Sequence, residues 1–257
     1  DKNNPEHILI VCGDVFDRGK ESIKVYDFLR KLPKERKVLI RGNHEYLLKE
    51  AVNREEFYTH DRSNGTVSTV AEFAGMEYLM TYAFSEKACK SFKRKGVWKW
   101  LNSDEWVDYF ELDRFIFVHS FIPLVNEDNL PSWYVNARRF KYEPNWRTLW
   151  ADRDMYSTIW EDATWGCPWK LYEEGYLRQE NDNGKTLVCG HWHASDFYKN
   201  LNKENVTTDN EKEYMKLYYS KDIIALDACT AYSGFCNVLV IDEEFNCYDK
   251  FGNKLNG

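Results

Sequence analysis

The feature that most constrains this chain is a repeated junction, in which a short apolar run ends in polar residues of the kinds that bind metals. Four such junctions occur, and their apolar runs cover residues 8–12, 38–40, 115–118 and 186–189. The polar segments that follow are residues 13–19 (GDVFDRG), 42–45 (GNHE), 119–120 (HS) and 190–193 (GHWH). Because the carboxyl ends of parallel strands meet at one edge of a sheet, we expect these segments to converge. One Asp, one Asn and three His there have the composition of a metal centre.

The segment between the first two junctions predicts an α/β fold. Residues 20–32 have the pattern of an amphipathic helix, which Pro33 ends. Together with the apolar runs on either side, this helix predicts a βαβ unit whose two strands are parallel. A second helix is expected directly after the second junction, opened by Asn43.

The rest of the chain predicts further strands and one unusual region. Residues 106–110 and 114–118 are expected to form two strands joined by a turn at Asp113. Residues 131–169 hold six of the ten tryptophans, with arginines interleaved. This region predicts either a cover over a substrate site or helices and loops anchored by large apolar side chains. We predict one domain over residues 1–257, since no segment has the composition of a linker.

The four motifs together resemble those of the calcineurin-like metallophosphoesterases, and within them the phosphoprotein phosphatases with their bacterial and phage relatives. The motifs GDVFDRG, RGNHE, FVHS and CGHWH occur in the family's order and at family-like spacings. The resemblance covers roughly residues 8–241, and residues 226–234 (LDACTAYSG) are similar to the stretch that ends bacterial members. It implies an α/β fold with a two-sheet β-sandwich flanked by helices, in four αββα layers, and a site at one edge of the sheets.

The resemblance also implies a centre of two divalent metal ions. Asp14 would bridge the two ions, and Asn43, His119 and His191 would complete the first site. His193 would reach the second ion, as in relatives with a GHxH motif. The mixed nitrogen and oxygen donors accept several metals, so manganese is our first expectation, and iron, zinc and magnesium are the alternatives.

The same resemblance assigns three catalytic residues and a reaction. His44 would be the general acid that protonates the departing alkoxide, Asp17 would hold the His44 ring, and Arg18 would bind the phosphate oxygens. The implied reaction is hydrolysis of phosphomonoesters, as in Ser/Thr protein phosphatases, by a hydroxide that bridges the metals. From the residues alone, Arg18 has an alternative role in a structural ion pair with Asp17.

Two rival functions stay open at this point. A symmetrical dinucleoside polyphosphate hydrolase, or another phosphodiesterase, would use the same centre on a substrate that carries less charge. An inactive phosphoesterase-like module would instead bind phosphorylated or protein partners through the same pocket. The expected substrate of an active enzyme is a phosphoprotein or a small phosphoester, and the sequence does not predict the oligomeric state.

The sequence departs from the family in its first motif and in its second phosphate-binding arginine. The Asp-x-His-Gly motif supplies two ligands to the second metal, and residues 1–12 contain no D-x-H. Without it that site keeps Asp14 and His193, so this chain is expected to be weakly active or inactive. It is either a fragment that lacks the first strand or a protein that has lost one metal. The candidates for the second arginine are Arg138, Arg139 and Arg153.

Composition limits the partners and the compartment. The net charge of −7 argues against nucleic acid, which needs a basic face, while bound metal ions would supply positive charge for a small phosphate ester. No run of about 18 apolar residues occurs, so no membrane span is expected, and no signal peptide is visible. The seven cysteines are irregularly spaced, which predicts buried free thiols in a reducing compartment and favours the cytoplasm.

Overall fold

The computed structural model describes residues 3–77, 82–126, 140–150, 166–176, 182 and 184–255. The chain divides into two compact units, Asp1–Asp108 and Tyr109–Gly257, which we call the N-terminal and the C-terminal unit. That residues 1–257 form one domain stays a prediction. Most of the tryptophan-rich region 131–169 lies outside the described residues, and so do the three candidate arginines, Arg138, Arg139 and Arg153.

The N-terminal unit contains a parallel sheet. Its strands are β1 (Leu9–Cys12), β2 (Lys37–Ile40) and β3 (Trp106–Val107), in the order β1-β2-β3. Helix α1 (Ser22–Lys31) links β1 to β2. The buried Lys37 Nζ donates to the main-chain oxygens of Leu29 and Leu32, at 2.9 and 3.1 Å, and so ties the end of α1 to β2. The predicted βαβ unit is therefore confirmed.

The helices that follow β2 supply most of the core of this unit. They are α2 (Asn43–Arg54), α3 (Thr59–Asn64), α4 (Thr66–Ala74), α5 (Tyr82–Lys93) and α6 (Gly96–Leu101), and a 3-10 turn at Lys34–Arg36 precedes β2. Their apolar faces meet in aromatic edge-to-face contacts, with Phe73 lying 5.7 Å from Phe16 and 5.5 Å from Phe92 between ring centroids. Leu39 of β2 belongs to the same buried cluster, so the helices pack on the sheet that carries the first two motifs.

Gly65 joins α3 to α4 at a position that a side chain would not fit. Its φ is +86°, which L side chains rarely adopt. A Cβ on Gly65 would lie 2.4 Å from the main-chain nitrogen of Arg18 and 2.9 Å from the Arg18 Cα. The N-terminal end of α4 therefore packs directly against the backbone of the GDVFDRG segment.

The C-terminal unit contains a mixed sheet. Its strands are β4 (Tyr109–Leu112), β5 (Phe115–Val118), β8 (Thr186–His193), β9 (Tyr218–Tyr219) and β10 (Ile223–Asp227), in the order β4-β5-β8-β10-β9. Strands β5, β8 and β10 are parallel, and β4 and β9 run antiparallel at the edges. All four side chains of β5 are buried, as suits a strand that lies between two others in the sheet.

Short elements complete the C-terminal unit. Two antiparallel pairs form, β6 (Val125–Asn126) with β7 (Phe140–Lys141) and β11 (Val240–Ile241) with β12 (Cys247–Tyr248). The helices are α7 (Trp146–Leu149), α8 (Pro168–Glu173), α9 (Ala194–Asn200) and α10 (Thr230–Ser233), with a 3-10 turn at Glu211–Tyr214. Trp146 is fully buried and donates from Nε1 to the Asp182 carboxylate at 2.9 Å, so this tryptophan acts as a structural anchor.

The prediction of one strand over residues 106–110 is wrong, because these residues divide between the two units. Trp106 is buried in the N-terminal core, and Arg41 N donates to the main-chain oxygen of Val107 at 2.8 Å, which places both residues in β3. The buried Asp108 carboxylate pairs with the Arg41 guanidinium at 3.3 Å. The next residue begins β4, and the predicted hairpin of β4 with β5 is confirmed.

The predicted α/β class is confirmed, since both units combine sheets with flanking helices. All seven cysteines are described and none forms a disulfide, but the prediction of buried thiols holds only for Cys89, Cys189 and Cys247, since Cys236 is exposed and the other three are partly buried. Among the described helices, none has the length and apolar character that crossing a membrane requires.

We predict that Gly65→Ala destabilises the protein more than Gly75→Ala does. The two glycines lie at opposite ends of α4, with φ of +86° and +66°, so both variants carry backbone strain of about 1 kcal/mol. A Cβ at Gly75 meets nothing within 4 Å, whereas a Cβ at Gly65 meets the Arg18 backbone. Urea unfolding should therefore show a loss of about 2–4 kcal/mol for Gly65→Ala. Equal losses in the two variants would contradict the close approach to Arg18.

Candidate metal centre

The GDVFDRG segment has a strained backbone. Asp14, Asp17 and Arg18 have φ angles of 53°, 70° and 57°, although none of them is a glycine. Asp tolerates the left-handed region better than most residues do, but Arg has no such advantage. Each such position costs about 1–3 kcal/mol unless its surroundings hold it in place. The segment therefore depends on contacts from elsewhere in the N-terminal unit.

The carboxylate of Glu45 supplies the first of these contacts. Glu45 is 1 % exposed and accepts three backbone N–H groups, from Asp14 at 3.0 Å, Val15 at 2.9 Å and Gly42 at 2.8 Å. Asp14 comes just after β1, and Gly42 comes just after β2. A single buried carboxylate thus joins the ends of two neighbouring parallel strands.

Asp14, Asn43 and His44 lie where β1 and β2 end. Asn43 is the first residue of α2. The main-chain nitrogen of His44 donates to Asp14 Oδ1 at 2.9 Å, which holds the first turn of α2 against the Asp14 carboxylate. The structure therefore places the predicted ligands Asp14 and Asn43 at one edge of the parallel sheet.

His44 and Asp17 form a buried pair. His44 Nδ1 lies 2.9 Å from Asp17 Oδ2, and the two side chains are 5 % and 1 % exposed. Burial lowers the pKa of His44, but the hydrogen bond to Asp17 and the negative charges of Asp14 and Asp17 outweigh burial, so the pKa is raised above its usual value. A carboxylate that orients an imidazole in this way is the arrangement that general acid–base chemistry uses.

Two threonines of α4 bind the two oxygens of the Asp17 carboxylate. Thr66 Oγ1 donates to Asp17 Oδ2 at 2.6 Å, and Thr69 Oγ1 donates to Asp17 Oδ1 at 2.8 Å. The main-chain nitrogen of Asp17 donates to Thr69 Oγ1 at 3.2 Å. Neither threonine is predicted from the sequence. Their spacing places them on one face of a helix, but it does not indicate that this face meets Asp17.

Arg18 is exposed at the end of the strained segment. Its guanidinium Nη2 donates to Asn64 Oδ1 at 3.2 Å. Within the described part of the chain, no ion pair joins Arg18 to Asp17, whose carboxylate is bound by His44 and the threonines. The structural ion pair is therefore not the role of Arg18.

In the C-terminal unit, His119 and His191 face each other. His119 follows β5 and His191 lies in β8, and Gly190 N donates to the main-chain oxygen of His119 at 2.8 Å. His119 Nε2 lies 3.2 Å from His191 Nδ1. Two nitrogens bound at about 2.1 Å to one ion, at a tetrahedral angle, are about 3.4 Å apart. The two rings therefore fit a shared cation.

His193 ends β8, two residues beyond His191, and precedes α9. The His193 side chain is 36 % exposed, and its Nδ1 lies 4.0 Å from the carboxylate of Glu211. Ser195 Oγ donates to the same carboxylate at 3.1 Å. Asp227 is the register partner of His193 on β10. Glu211 is not predicted from the sequence, because nothing there indicates that the 3-10 turn at Glu211–Tyr214 returns to β8.

The eight predicted site residues thus form two groups. The N-terminal unit brings together Asp14, Asp17, Arg18, Asn43 and His44, and the C-terminal unit brings together His119, His191 and His193. The roles assigned to these residues stay predictions.

The model of the calcineurin-like phosphoesterase family matches residues 1–195 of the 257 in this chain. The chain therefore belongs to the calcineurin-like phosphoesterases, and it is a metal-dependent phosphoesterase in the general sense that this family defines. The matched region includes all eight predicted site residues. A search of curated proteins and a search of solved structures each gave no match to the chain.

We predict that Glu45→Gln weakens the hydrogen bonds that hold the backbone of the GDVFDRG segment and so destabilises the protein. The amide nitrogen of Gln would face a backbone N–H that a carboxylate oxygen now accepts, so at least one buried donor would lose its partner. The free energy of unfolding should fall by about 1–3 kcal/mol, measured in urea. Glu50→Gln on the same helix is the control, because it removes only a partly exposed pair with Arg54 at 3.4 Å and should cost less than about 1 kcal/mol. Similar losses for both variants would contradict the role of Glu45.

Proposed function

We propose that this chain hydrolyses phosphomonoesters, weakly because residues 1–12 hold no D-x-H ligands for the second metal, and that it belongs to the Ser/Thr protein phosphatase-like branch of its family. The observation that carries the proposal is the buried Asp17–His44 pair, which lies beside Asp14. A monoester such as a phosphorylated serine departs as an alkoxide, which is a poor leaving group and needs a proton. An imidazole that a carboxylate orients supplies this proton. A module that only binds phosphate has no use for such a pair.

Asp14, Asn43, His119 and His191 are proposed to hold one divalent cation, and Asp14 and His193 to contribute to a second. Asp14, His119 and His191 provide a carboxylate oxygen and two imidazole nitrogens, a donor set that could hold a metal ion. The 3.2 Å between His119 Nε2 and His191 Nδ1 supports this assignment. Bound divalent ions lower the pKa of water and place positive charge beside the phosphate. Manganese suits these donors, and iron, zinc and magnesium are the alternatives.

Arg18 is proposed to bind the phosphate oxygens. Its exposed guanidinium offers a planar set of donors that matches two oxygens of one phosphate. A phosphomonoester carries more negative charge than a diester, so this contact favours the monoester. The exposure of Arg18 and the position of its main chain next to Asp17 support the assignment.

The proposed substrates are phosphoproteins or small phosphoesters, and the proposed compartment is the cytoplasm. A net charge of −7 is unsuited to the phosphate backbone of nucleic acids. The seven free thiols, of which Cys236 is exposed, suit a reducing environment.

Turnover of p-nitrophenyl phosphate and of bis-p-nitrophenyl phosphate with Mn²⁺ tests the substrate class. We expect a larger kcat/KM for the monoester, and we expect EDTA to remove both activities because the nucleophile depends on the metal. A larger kcat/KM for the diester would assign the chain to the phosphodiesterases instead. If neither ester is turned over while inorganic phosphate binds tightly, the chain is a binding module.

We predict that His44→Asn and Asp14→Asn act on different properties. His44→Asn should leave the metal content near that of the wild type but lower turnover of an alkyl phosphate by about 10²–10⁴-fold, the usual contribution of a general acid. Asp14→Asn should lower the metal content itself, because it removes a charged ligand. Elemental analysis and steady-state rates measure the two effects. Wild-type turnover of the alkyl phosphate by His44→Asn would refute the general-acid assignment.

A further inference from the structure

We propose that Thr66 and Thr69 are positioning residues that fix the proton-donating geometry of His44 through Asp17. The inference rests on the proposed function, because the direction of the His44 ring matters only if His44 protonates a leaving group. Neither threonine belongs to the four sequence motifs. Both lie on α4, one helical turn apart, and their hydroxyl groups point to the same carboxylate.

The threonines bind both oxygens of Asp17. Thr69 donates to Oδ1 at 2.8 Å and Thr66 donates to Oδ2 at 2.6 Å. Asp17 Oδ2 is also the oxygen that lies 2.9 Å from His44 Nδ1. Because donors spaced along one rigid helix fix both oxygens, the plane of the carboxylate cannot turn. The same oxygen therefore always faces His44.

Because the residues that make these hydrogen bonds are buried, solvent does not compensate for the loss of either threonine hydroxyl. Thr66 is fully buried and Thr69 is 1 % exposed, and the side chains of Asp17 and His44 are 1 % and 5 % exposed. Water can hardly replace a missing hydroxyl in such a place, so a carboxylate that loses one partner must turn towards another. Any such rotation of Asp17 carries the His44 ring with it.

The position of Asp17 decides which nitrogen of His44 can transfer a proton. Asp17 Oδ2 accepts the Nδ1–H of His44, so the proton that can leave is the one on Nε2. As the ester P–O bond breaks, its electron pair stays on the departing oxygen, which takes the Nε2 proton. The phosphorus gains its new oxygen from water, whose protons stay on the phosphate product or pass to solvent, and His44 is left neutral with its Nδ1–H on Asp17. A tilted ring would aim Nε2 away from the departing oxygen.

The dependence of the rate on the leaving group distinguishes this role from a structural one. An alkoxide needs the proton, whereas the 2,4-dinitrophenolate ion is stable enough to depart without it. Loss of the geometry of His44 should therefore slow hydrolysis of an alkyl phosphate far more than hydrolysis of 2,4-dinitrophenyl phosphate. A variant that merely unfolds in part would slow both reactions equally.

The test uses the full chain with Mn²⁺ and the double variant Thr66→Val/Thr69→Val, which keeps the side-chain shape and removes both hydroxyls. We expect its kcat for the alkyl phosphate to fall by about 10–100-fold and its kcat for 2,4-dinitrophenyl phosphate to fall by less than about threefold. KM for either ester should change little. The double variant Thr66→Ser/Thr69→Ser, which keeps both hydroxyls, should restore most of the alkyl phosphate rate.

Val70→Ala is the matched control. Val70 is fully buried on the same helix, so this variant weakens the packing of α4 and leaves both hydroxyls in place. We expect it to lower the melting temperature without changing the ratio of the two rates. If Val70→Ala changes the ratio as much as the valine double variant does, the threonines are structural and the inference fails.

A measurement on the metal-free protein separates failure of this inference from failure of the proposed function. The His44 Nδ1–H proton, bonded to Asp17, should give a strongly downfield NMR signal that His44→Asn removes. The signal should shift or vanish in the valine double variant and persist in Val70→Ala. An unchanged signal in the valine double variant would overturn the inference even if the wild type hydrolysed both esters. A lost signal in a chain that hydrolyses neither ester would instead overturn the proposed function.

Discussion

The buried carboxylate of Glu45 is the contact on which the group of predicted site residues in the N-terminal unit depends. The GDVFDRG segment contains three non-glycine residues in the left-handed region, and its conformation is costly by itself. Glu45 offsets this cost by accepting the N–H groups of Asp14 and Val15, and it accepts Gly42 N from the end of the next strand. Because backbone donors are fixed by the fold, this one side chain sets the distance between two strand ends and places Asp14 beside the first turn of α2.

Asp17 also has a buried carboxylate, but this carboxylate binds side chains rather than the backbone. All the donors to its carboxylate belong to side chains, namely those of Thr66, Thr69 and His44. Side-chain donors can rotate, so their arrangement around the carboxylate is stable only when the backbone that carries each donor is itself fixed. The two threonines are held by α4, and α4 is held against the segment by the close approach of Gly65 to Arg18. The two carboxylates therefore have different roles. Glu45 fixes the backbone of the GDVFDRG segment, and Asp17 orients the imidazole of His44.

The sequence could predict those parts of the structure that short-range patterns determine. The junctions of β1 and β2 with their motifs, the βαβ connection and the β4–β5 hairpin follow from apolar runs, a helical period and turn residues, all within about 30 residues of one another. The division of residues 106–110 could not be predicted in this way. It depends on Arg41, which binds Val107 and Asp108 from a distant part of the chain.

The candidate site shows the same limit. Metal ligands and catalytic residues are drawn from a few residue types, so Asp14, Asn43, His44 and the three later histidines could be proposed from the sequence. Thr66 and Glu211 could not, because threonine and glutamate occur everywhere on protein surfaces and only the packing of α4 and the 3-10 turn brings them to the site. The same holds for Trp146, whose role as an anchor depends on the distant Asp182 carboxylate.

The conformation of Arg18 supports a functional side chain more strongly than its exposure does. Exposed arginines are common, and most of them bind nothing in particular. At a φ of 57°, however, a glycine would relieve the strain by about 1 kcal/mol. The arginine side chain offsets little of this cost, since among the described residues its one hydrogen bond is an exposed contact from the guanidinium to Asn64 Oδ1 at 3.2 Å. A strained backbone that carries a charged side chain next to an oriented imidazole is what a phosphate-binding position requires, and this combination, rather than charge alone, favours Arg18 as the phosphate ligand.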